Sequence, residues 1–167
     1  MGRPVPPGPS GRRGLKRHPA LVPLSRDHHY ALRQALWLRR AAKAAETATA
    51  VRVAREYLAF HRDELVAHMA DEDDVVFPAL EPFDRPATDR LRREHREVHE
   101  LTARLGARLD EKSDPRPLMS EIASLLDDHV RYEERAYFMA VQERLPDTVL
   151  QGVGEALARR RRARPSR

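Results

Sequence analysis

The chain has 167 residues, of which 41% are hydrophobic and 34% charged, and its formal net charge is +5. This length corresponds to one domain with enough residues to bury a core. The sequence contains no cysteine, which excludes disulfides and thiolate metal ligands and predicts a cytoplasmic protein. No apolar run approaches the roughly 18 residues of a membrane span, so we expect neither a span nor a secretory signal.

The positive charge is concentrated at the two ends of the chain. Residues 1–20 carry five basic residues and residues 159–167 carry six, and neither segment has an acid. The other 20 basic residues face 26 acids, so residues 21–158 carry a charge of −6. We expect disordered basic tails that solubilise the protein or bind polyanions weakly, with no specific nucleic-acid partner.

Between the tails the sequence is rich in the helix formers Ala, Leu, Arg and Glu, and helix breakers occur at only a few places. These breakers predict four long helices at about residues 24–45, 50–80, 87–110 and 117–144, and a short amphipathic helix at about 147–160. Short connections between four helices predict an all-α fold, an antiparallel up-down-up-down four-helix bundle with disordered basic tails. The predicted organisation is a tail at residues 1–20, the bundle at 21–145, and a short helix with an Arg-rich tail at 146–167.

The two halves of the predicted bundle resemble each other. The pattern L-x-R-acid-H occurs at residues 24–28 and again at 91–95. The pattern H-x3-E-acid-x3-F-x-A-aliphatic occurs at residues 68–80 and again at 129–141. The first helix pair is therefore interpreted as a diverged copy of the second, which predicts a bundle with pseudo-twofold symmetry.

Antiparallel packing brings histidines and glutamates of all four helices to one height, because an α-helix rises about 1.5 Å per residue. Residues four apart share a helix face. Three such pairs occur in this layer: His68 with Glu72, His95 with His99, and His129 with Glu133. His28 on the first helix joins them. Since burying so many ionisable groups without a counter-charge is costly, a metal centre is predicted.

Imidazole and carboxylate ligands without thiolate favour iron, manganese or zinc. Seven ligands exceed the need of one ion, so we predict two ions bridged by Glu72 and Glu133. One ion would bind the three histidines of the third and fourth helices, and the other would bind His28 and His68 and keep an open coordination position. The E-x-x-H motif of ferritin-like bundles and the H-E-x-x-H motif of zinc proteases are both absent from the sequence.

Two predicted ligands have a neighbour of similar chemistry. His29 competes with His28, and Glu134 competes with Glu133. The internal repeat favours His28 and Glu133. His61 lies seven residues before His68 on the same helix face and is expected to pack beside the site or to support a ligand.

These motifs resemble the hemerythrin-like (HHE cation-binding) family over about residues 21–145. The segment from His68 to Pro78 is similar to the family pattern H-x-x-x-E-E-x-x-L-F-P, and the histidine pair of the third helix and the His129–Glu133 motif complete the set. The resemblance implies five histidines and two bridging carboxylates around two iron ions joined by an oxo or hydroxo bridge. It implies a non-haem di-iron protein that binds or senses oxygen, nitric oxide or peroxide at an open iron position.

Two other functions are compatible with the sequence. One is a di-iron enzyme at the same site, either peroxidase-like or involved in iron–sulfur repair. The other is a metal-free helical interaction module that acts through its basic tail. The sequence identifies no protein partner.

Overall fold

The computed structural model describes residues 16–164, and all regular structure in this range is helical. A short 3-10 turn, Pro19–Leu21, leads into α1, Val22–Ala41. Four further helices follow: α2 from Thr47 to Leu80, α3 Arg85–Asp110, α4 from Arg116 to Arg144, and α5 Asp147–Ala163. The all-α class is confirmed. Within the described range, no helix is both long enough and apolar enough to cross a membrane.

The helix bounds agree with the prediction to within a few residues, except at the end of α1. This helix was expected to continue to residue 45 but ends at Ala41. Arg116, the first residue of α4, donates to the carbonyl oxygen of Ala45 at 3.2 Å and to the hydroxyl of Thr47 at 3.0 Å. These bonds stabilise the turn into α2, so a tertiary contact overrides the helix propensity of the intervening alanines.

α2 and α4 are continuous helices interrupted by wider π-turns. The π-turns are His61–Leu65 and Glu72–Val76 in α2, and Glu133–Tyr137 in α4. Because a π-turn inserts one extra residue, positions five apart come to face the same side of the helix. A glutamate and the phenylalanine five residues later are therefore both completely buried in each helix, as Glu72 with Phe77 and Glu133 with Phe138.

Two apolar clusters fill the interior. We call them core A, which includes Leu38, Tyr57, Leu105, Met119 and Leu126, and core B, which includes Leu24, Phe77, Leu91, Phe138 and Leu157. Each of the first four helices contributes to both cores, and its buried His and Glu residues lie where the core A residues end and the core B residues begin. The polar layer is therefore enclosed between two apolar clusters.

The helices pack in a ring. α1 packs against α2 and α4, and α3 also packs against α2 and α4. α5 stands outside this ring and packs against the 3-10 turn and the second π-turn of α2. Its close approach depends on Gly154, where a Cβ atom would lie 3.1 Å from the Cβ of Ala20.

The N-terminal segment was predicted to be disordered up to residue 20. Residues 1–15 lie outside the described range, but residues 16–20 are held against α4, which corrects the prediction for them. The guanidinium of Arg17 donates to Glu134 at 2.6 Å, and the backbone N–H of His18 donates to Gln142 at 3.0 Å. A charge partner on α4 thus orders the basic end of this segment.

The C-terminal arginines were predicted to form a disordered, solubilising tail, and this is wrong for three of them. Asp71 of α2 is completely buried, and its Oδ1 accepts from Arg160 at 2.9 Å and from Arg164 at 2.6 Å. Arg161 Nε lies 3.5 Å from the other oxygen, Oδ2. A buried carboxylate needs counter-charge, and the end of α5 supplies it.

This cluster predicts that Asp71→Asn lowers the free energy of unfolding by about 2 kcal/mol, because it leaves partly buried guanidinium groups without their carboxylate. This loss is smaller than that expected for a fully buried ion pair, because about a third of the side-chain surface of Arg160 and Arg164 is exposed to solvent. The matched control is Asp74→Asn, which removes only a half-exposed partner of Arg160 and should cost less than about 1 kcal/mol. Urea denaturation of the metal-free variants measures both values, and equal losses would contradict the assignment.

Candidate metal centre

Six of the seven predicted ligands meet between the two cores. They form two groups of four that share Glu72 and Glu133. The first group adds His28 and His68, and the second group adds His95 and His129. All six residues are at least 95% buried, so bulk water does not solvate their polar atoms.

The spacing of the ligand atoms suits coordination of an ion. In the first group, Nε2 of His28 lies 3.3 Å from Glu72 and 3.0 Å from Glu133. In the second group, Nε2 of His95 lies 3.4 Å from Glu72, and Nε2 of His129 lies 3.3 Å from Glu133. Ligands about 2.1 Å from a metal and at right angles to one another lie about 3 Å apart. Each group therefore has the dimensions of a first coordination shell.

The polar atoms at the centre face one another but form no hydrogen bond of good geometry with any described residue. This holds for both oxygens of Glu72, both oxygens of Glu133, and Nε2 of His28 and His95. A buried carboxylate normally accepts several hydrogen bonds, and leaving it without them costs free energy. The donor set, four imidazoles and two carboxylates without sulfur, fits ions such as iron, manganese or zinc that could satisfy these atoms.

The pKa values of the central histidines and glutamates show that the site favours positive charge. Burial disfavours the protonated form of His129, but Glu133 and Glu94 outweigh this effect and raise its pKa to about 10. Burial and the neighbouring Glu133 disfavour the anionic form of Glu72, but the surrounding histidines outweigh both and hold its pKa below the ordinary value. The same histidines also hold the pKa of Glu133 below its ordinary value, so positive charge beside both glutamates favours their anionic form, whether it comes from protons on imidazole or from metal ions.

Each of the four imidazoles is held by a carboxylate on its outer nitrogen, Nδ1. The pairs are His28 with Glu134 at 2.7 Å, His68 with Asp27 at 3.2 Å, His95 with Asp73 at 3.2 Å, and His129 with Glu94 at 2.8 Å. A carboxylate in this position fixes the tautomer with Nδ1 protonated, so that the lone pair of Nε2 faces the centre.

The internal repeat generates these four supporting acids, although the sequence analysis did not assign this role. Asp27 and Glu94 are the acids of the two L-x-R-acid-H patterns, and Asp73 and Glu134 follow the two shared glutamates. Each acid is adjacent in sequence to one candidate ligand and contacts another candidate ligand on a different helix. The signal in the sequence that could have identified them is that an acid precedes the histidine and another follows the glutamate in both copies of the repeat.

The repeat also places an aromatic ring beside two of the imidazoles. Phe138 stacks on His28 with ring centroids 5.4 Å apart, and Phe77 stacks on His95 at 5.3 Å. Both rings belong to core B, so the site is closed on this side by apolar groups.

The structure distinguishes the two predicted ligands from their sequence neighbours of similar chemistry. His29 is exposed, whereas His28 belongs to the first group. Glu134 lies behind His28 as its supporting acid, whereas Glu133 faces the centre. The internal repeat therefore favoured the residues that the structure brings together.

His99 is the predicted ligand that the structure does not bring into either group. Its Nδ1 lies 2.9 Å from Nε2 of His61, and the two rings meet edge to face. Burial and the proximity of His99 lower the pKa of His61 to about 4, so this ring is neutral near pH 7. Sequence spacing placed His99 beside the centre because it lies one turn beyond His95, but in the structure its ring contacts His61 instead.

Comparison with known protein families agrees with the geometry. The family model described as the hemerythrin HHE cation binding domain matches residues 21–141, which include α1 to α3 and all but the last residues of α4. Neither the curated proteins nor the solved structures searched yielded a significant match. Because the family model covers most of the chain, the protein belongs to the hemerythrin HHE cation-binding domain family.

Proposed function

We propose that the protein is a non-haem di-iron protein that binds or senses a small ligand, namely oxygen, nitric oxide or peroxide. The observation that carries this proposal is the pair of ligand groups that share Glu72 and Glu133, two completely buried carboxylates without hydrogen-bond partners among the described residues. Two ions bridged by these carboxylates would satisfy all four oxygens at once.

The proposed bundle is an antiparallel up-down-up-down arrangement of α1 to α4. Along α1, the chain passes from Leu24 in core B through His28 to Ala31 in core A. Along α2 it passes in the opposite order, from Met69 in core A through Glu72 to Val76 in core B. α3 repeats the order of α1, and α4 repeats that of α2, which supports alternating helix directions.

The chain's own residues would prepare the site in three ways. Glu72 and Glu133 would bridge the ions, and the four histidines would each present Nε2 as a ligand. The supporting acids hold the imidazole tautomer, as their contacts with Nδ1 indicate. When bound, the two irons would supply reversible electron transfer to a small oxidising ligand.

Burial favours a small ligand over a larger substrate. The four histidines are at most 5% exposed and the shared glutamates are completely buried. With only four protein ligands in each group, an ion that accepts six ligands has positions left for a diatomic molecule or peroxide. Cores A and B enclose the layer on both sides.

The direct test is the metal content of the protein produced with added iron. We expect about two irons per chain, near-ultraviolet charge-transfer absorption in air, and a saturable optical change when the reduced protein is titrated with nitric oxide. A folded protein that takes up no iron would contradict the metal centre. Two irons without a response to nitric oxide, oxygen or hydrogen peroxide would contradict the ligand-binding role.

His129→Leu and His99→Leu form a matched pair that tests the ligand set. We expect His129→Leu to hold at most one iron, because it removes a ligand of the second group. We expect His99→Leu to retain two irons, because His99 lies outside both groups and contacts His61. Iron analysis of the purified variants measures both, and loss of one iron in His99→Leu would assign His99 as a fifth histidine ligand.

The supporting role of Asp73 can be tested against its neighbour Asp74. Asp73→Asn should weaken binding of one metal ion about tenfold or more, because the carboxylate no longer polarises His95. Asp74→Asn should leave affinity unchanged, because Asp74 is half-exposed and pairs with Arg160. Competition with a chelator measures the affinities, and equal effects would contradict a specific role for Asp73.

A further inference from the structure

Arginine side chains from both ends of the described chain reach the carboxylates behind one ligand group. Nη2 of Arg161, on α5, donates to Oδ2 of Asp27, and the same oxygen lies 3.2 Å from Nδ1 of His68. A guanidinium, a carboxylate and an imidazole therefore form a continuous chain that ends at the first ligand group.

Arg17 makes an equivalent chain from the N-terminal side. Its Nη2 lies 2.6 Å from Oε2 of Glu134 and 2.8 Å from the backbone carbonyl oxygen of the same residue. The other carboxylate oxygen, Oε1 of Glu134, lies 2.7 Å from Nδ1 of His28. Both histidines of the first ligand group are thus supported by a carboxylate that is itself paired with an arginine.

The second ligand group is supported differently. Glu94, behind His129, pairs with Arg90 of its own helix at 2.7 Å. Asp73, behind His95, has no hydrogen-bond partner on Oδ1 within the described range. Arg90 lies inside the segment that matches the family model, whereas Arg17 and Arg161 lie outside it. Among the four supporting acids, Arg17 and Arg161 therefore contact only the two that support the first ligand group.

Hydrogen bonds attach the end of α5 to α2 on both sides of Arg161. Arg160 and Arg164 both donate to buried Asp71, which immediately precedes the shared ligand Glu72. Arg161 and Arg164 also line a cavity of about 200 Å³ that extends to Asp27 and His68. Withdrawal of Arg161 would widen this cavity and open the outer side of His68 to water.

We propose that residues 16–20 and α5 form a clasp that holds the metal ion of the first ligand group, with Arg17 and Arg161 as its positioning residues. This inference rests on the proposed function. Each arginine fixes the orientation of one supporting carboxylate, which in turn fixes one imidazole with its Nε2 lone pair toward the ion. Loss of either arginine loosens the ion of the first group, while the ion of the second group keeps its own support.

The clasp is tested by the rate at which a colorimetric ferrous chelator removes iron from the anaerobic full-length protein loaded with two Fe²⁺. In Arg161→Gln, and separately in Arg17→Gln, we expect half of the iron to leave about tenfold faster and the other half to leave at the wild-type rate. Arg162→Gln, on an exposed position of the same helix, is the control and should release iron as the wild type does.

Two further variants separate positioning from general loosening of the helix. Arg160→Gln removes contacts with Asp71 and Asp74 but does not touch Asp27, so it should lower the free energy of unfolding without accelerating iron release. In an Asp27→Asn background, Arg161→Gln should have no additional effect, because the arginine acts through that carboxylate.

Three results would overturn the clasp. The first is an Arg161→Gln variant that releases iron at the wild-type rate, and the second is a variant in which both irons leave faster by the same factor. The third is an Arg160→Gln variant that releases iron as fast as Arg161→Gln does. Each of these leaves the proposed function intact, since the protein would still bind two irons. A wild-type protein that binds no iron would instead overturn the proposed function, and with it the clasp. Thermal unfolding monitored by circular dichroism confirms that each variant is folded before release is measured.

Discussion

The structure depends on two carboxylates placed where water cannot reach them. Glu72 and Glu133 are completely buried between two apolar cores, and their four oxygens have no hydrogen-bond partner among the described residues. Anions in this environment require cations nearby, or their burial would cost several kcal/mol. The four histidines surround them, the four acids orient the histidines, and arginines neutralise three of those acids. Imidazoles, acids and arginines therefore follow one another outward from the two carboxylates.

The internal repeat explains how a short sequence specifies so many matched groups. Each copy places an acid before a histidine and another acid after a glutamate. The acid after the glutamate crosses between the copies, so that Asp73 of the first copy supports His95 of the second, and Glu134 of the second supports His28 of the first. The acid before the histidine stays within its copy, where Asp27 supports His68 and Glu94 supports His129. The π-turns that begin at Glu72 and Glu133 also occur in both copies and turn Phe77 and Phe138 toward the same layer.

Much of this could be predicted from the sequence, because the helix breakers and the repeat are local signals. The helices followed from propensity, and six site residues followed from spacing and symmetry. The position of His99 could not be predicted, because its contact with His61 depends on a π-turn in another helix. The role of the C-terminal arginines was missed for a similar reason. Their partner Asp71 looks solvated in an acidic run, and only the packing of α5 reveals its burial.

The central claim is that two ions share Glu72 and Glu133, and diffraction from iron-loaded crystals at the iron absorption edge tests it most directly. The account predicts two anomalous peaks about 3.5–4 Å apart. One peak should lie beside Nε2 of His28 and His68, and the other beside Nε2 of His95 and His129. A single peak, or two peaks of which either lies away from the shared glutamates, would contradict it.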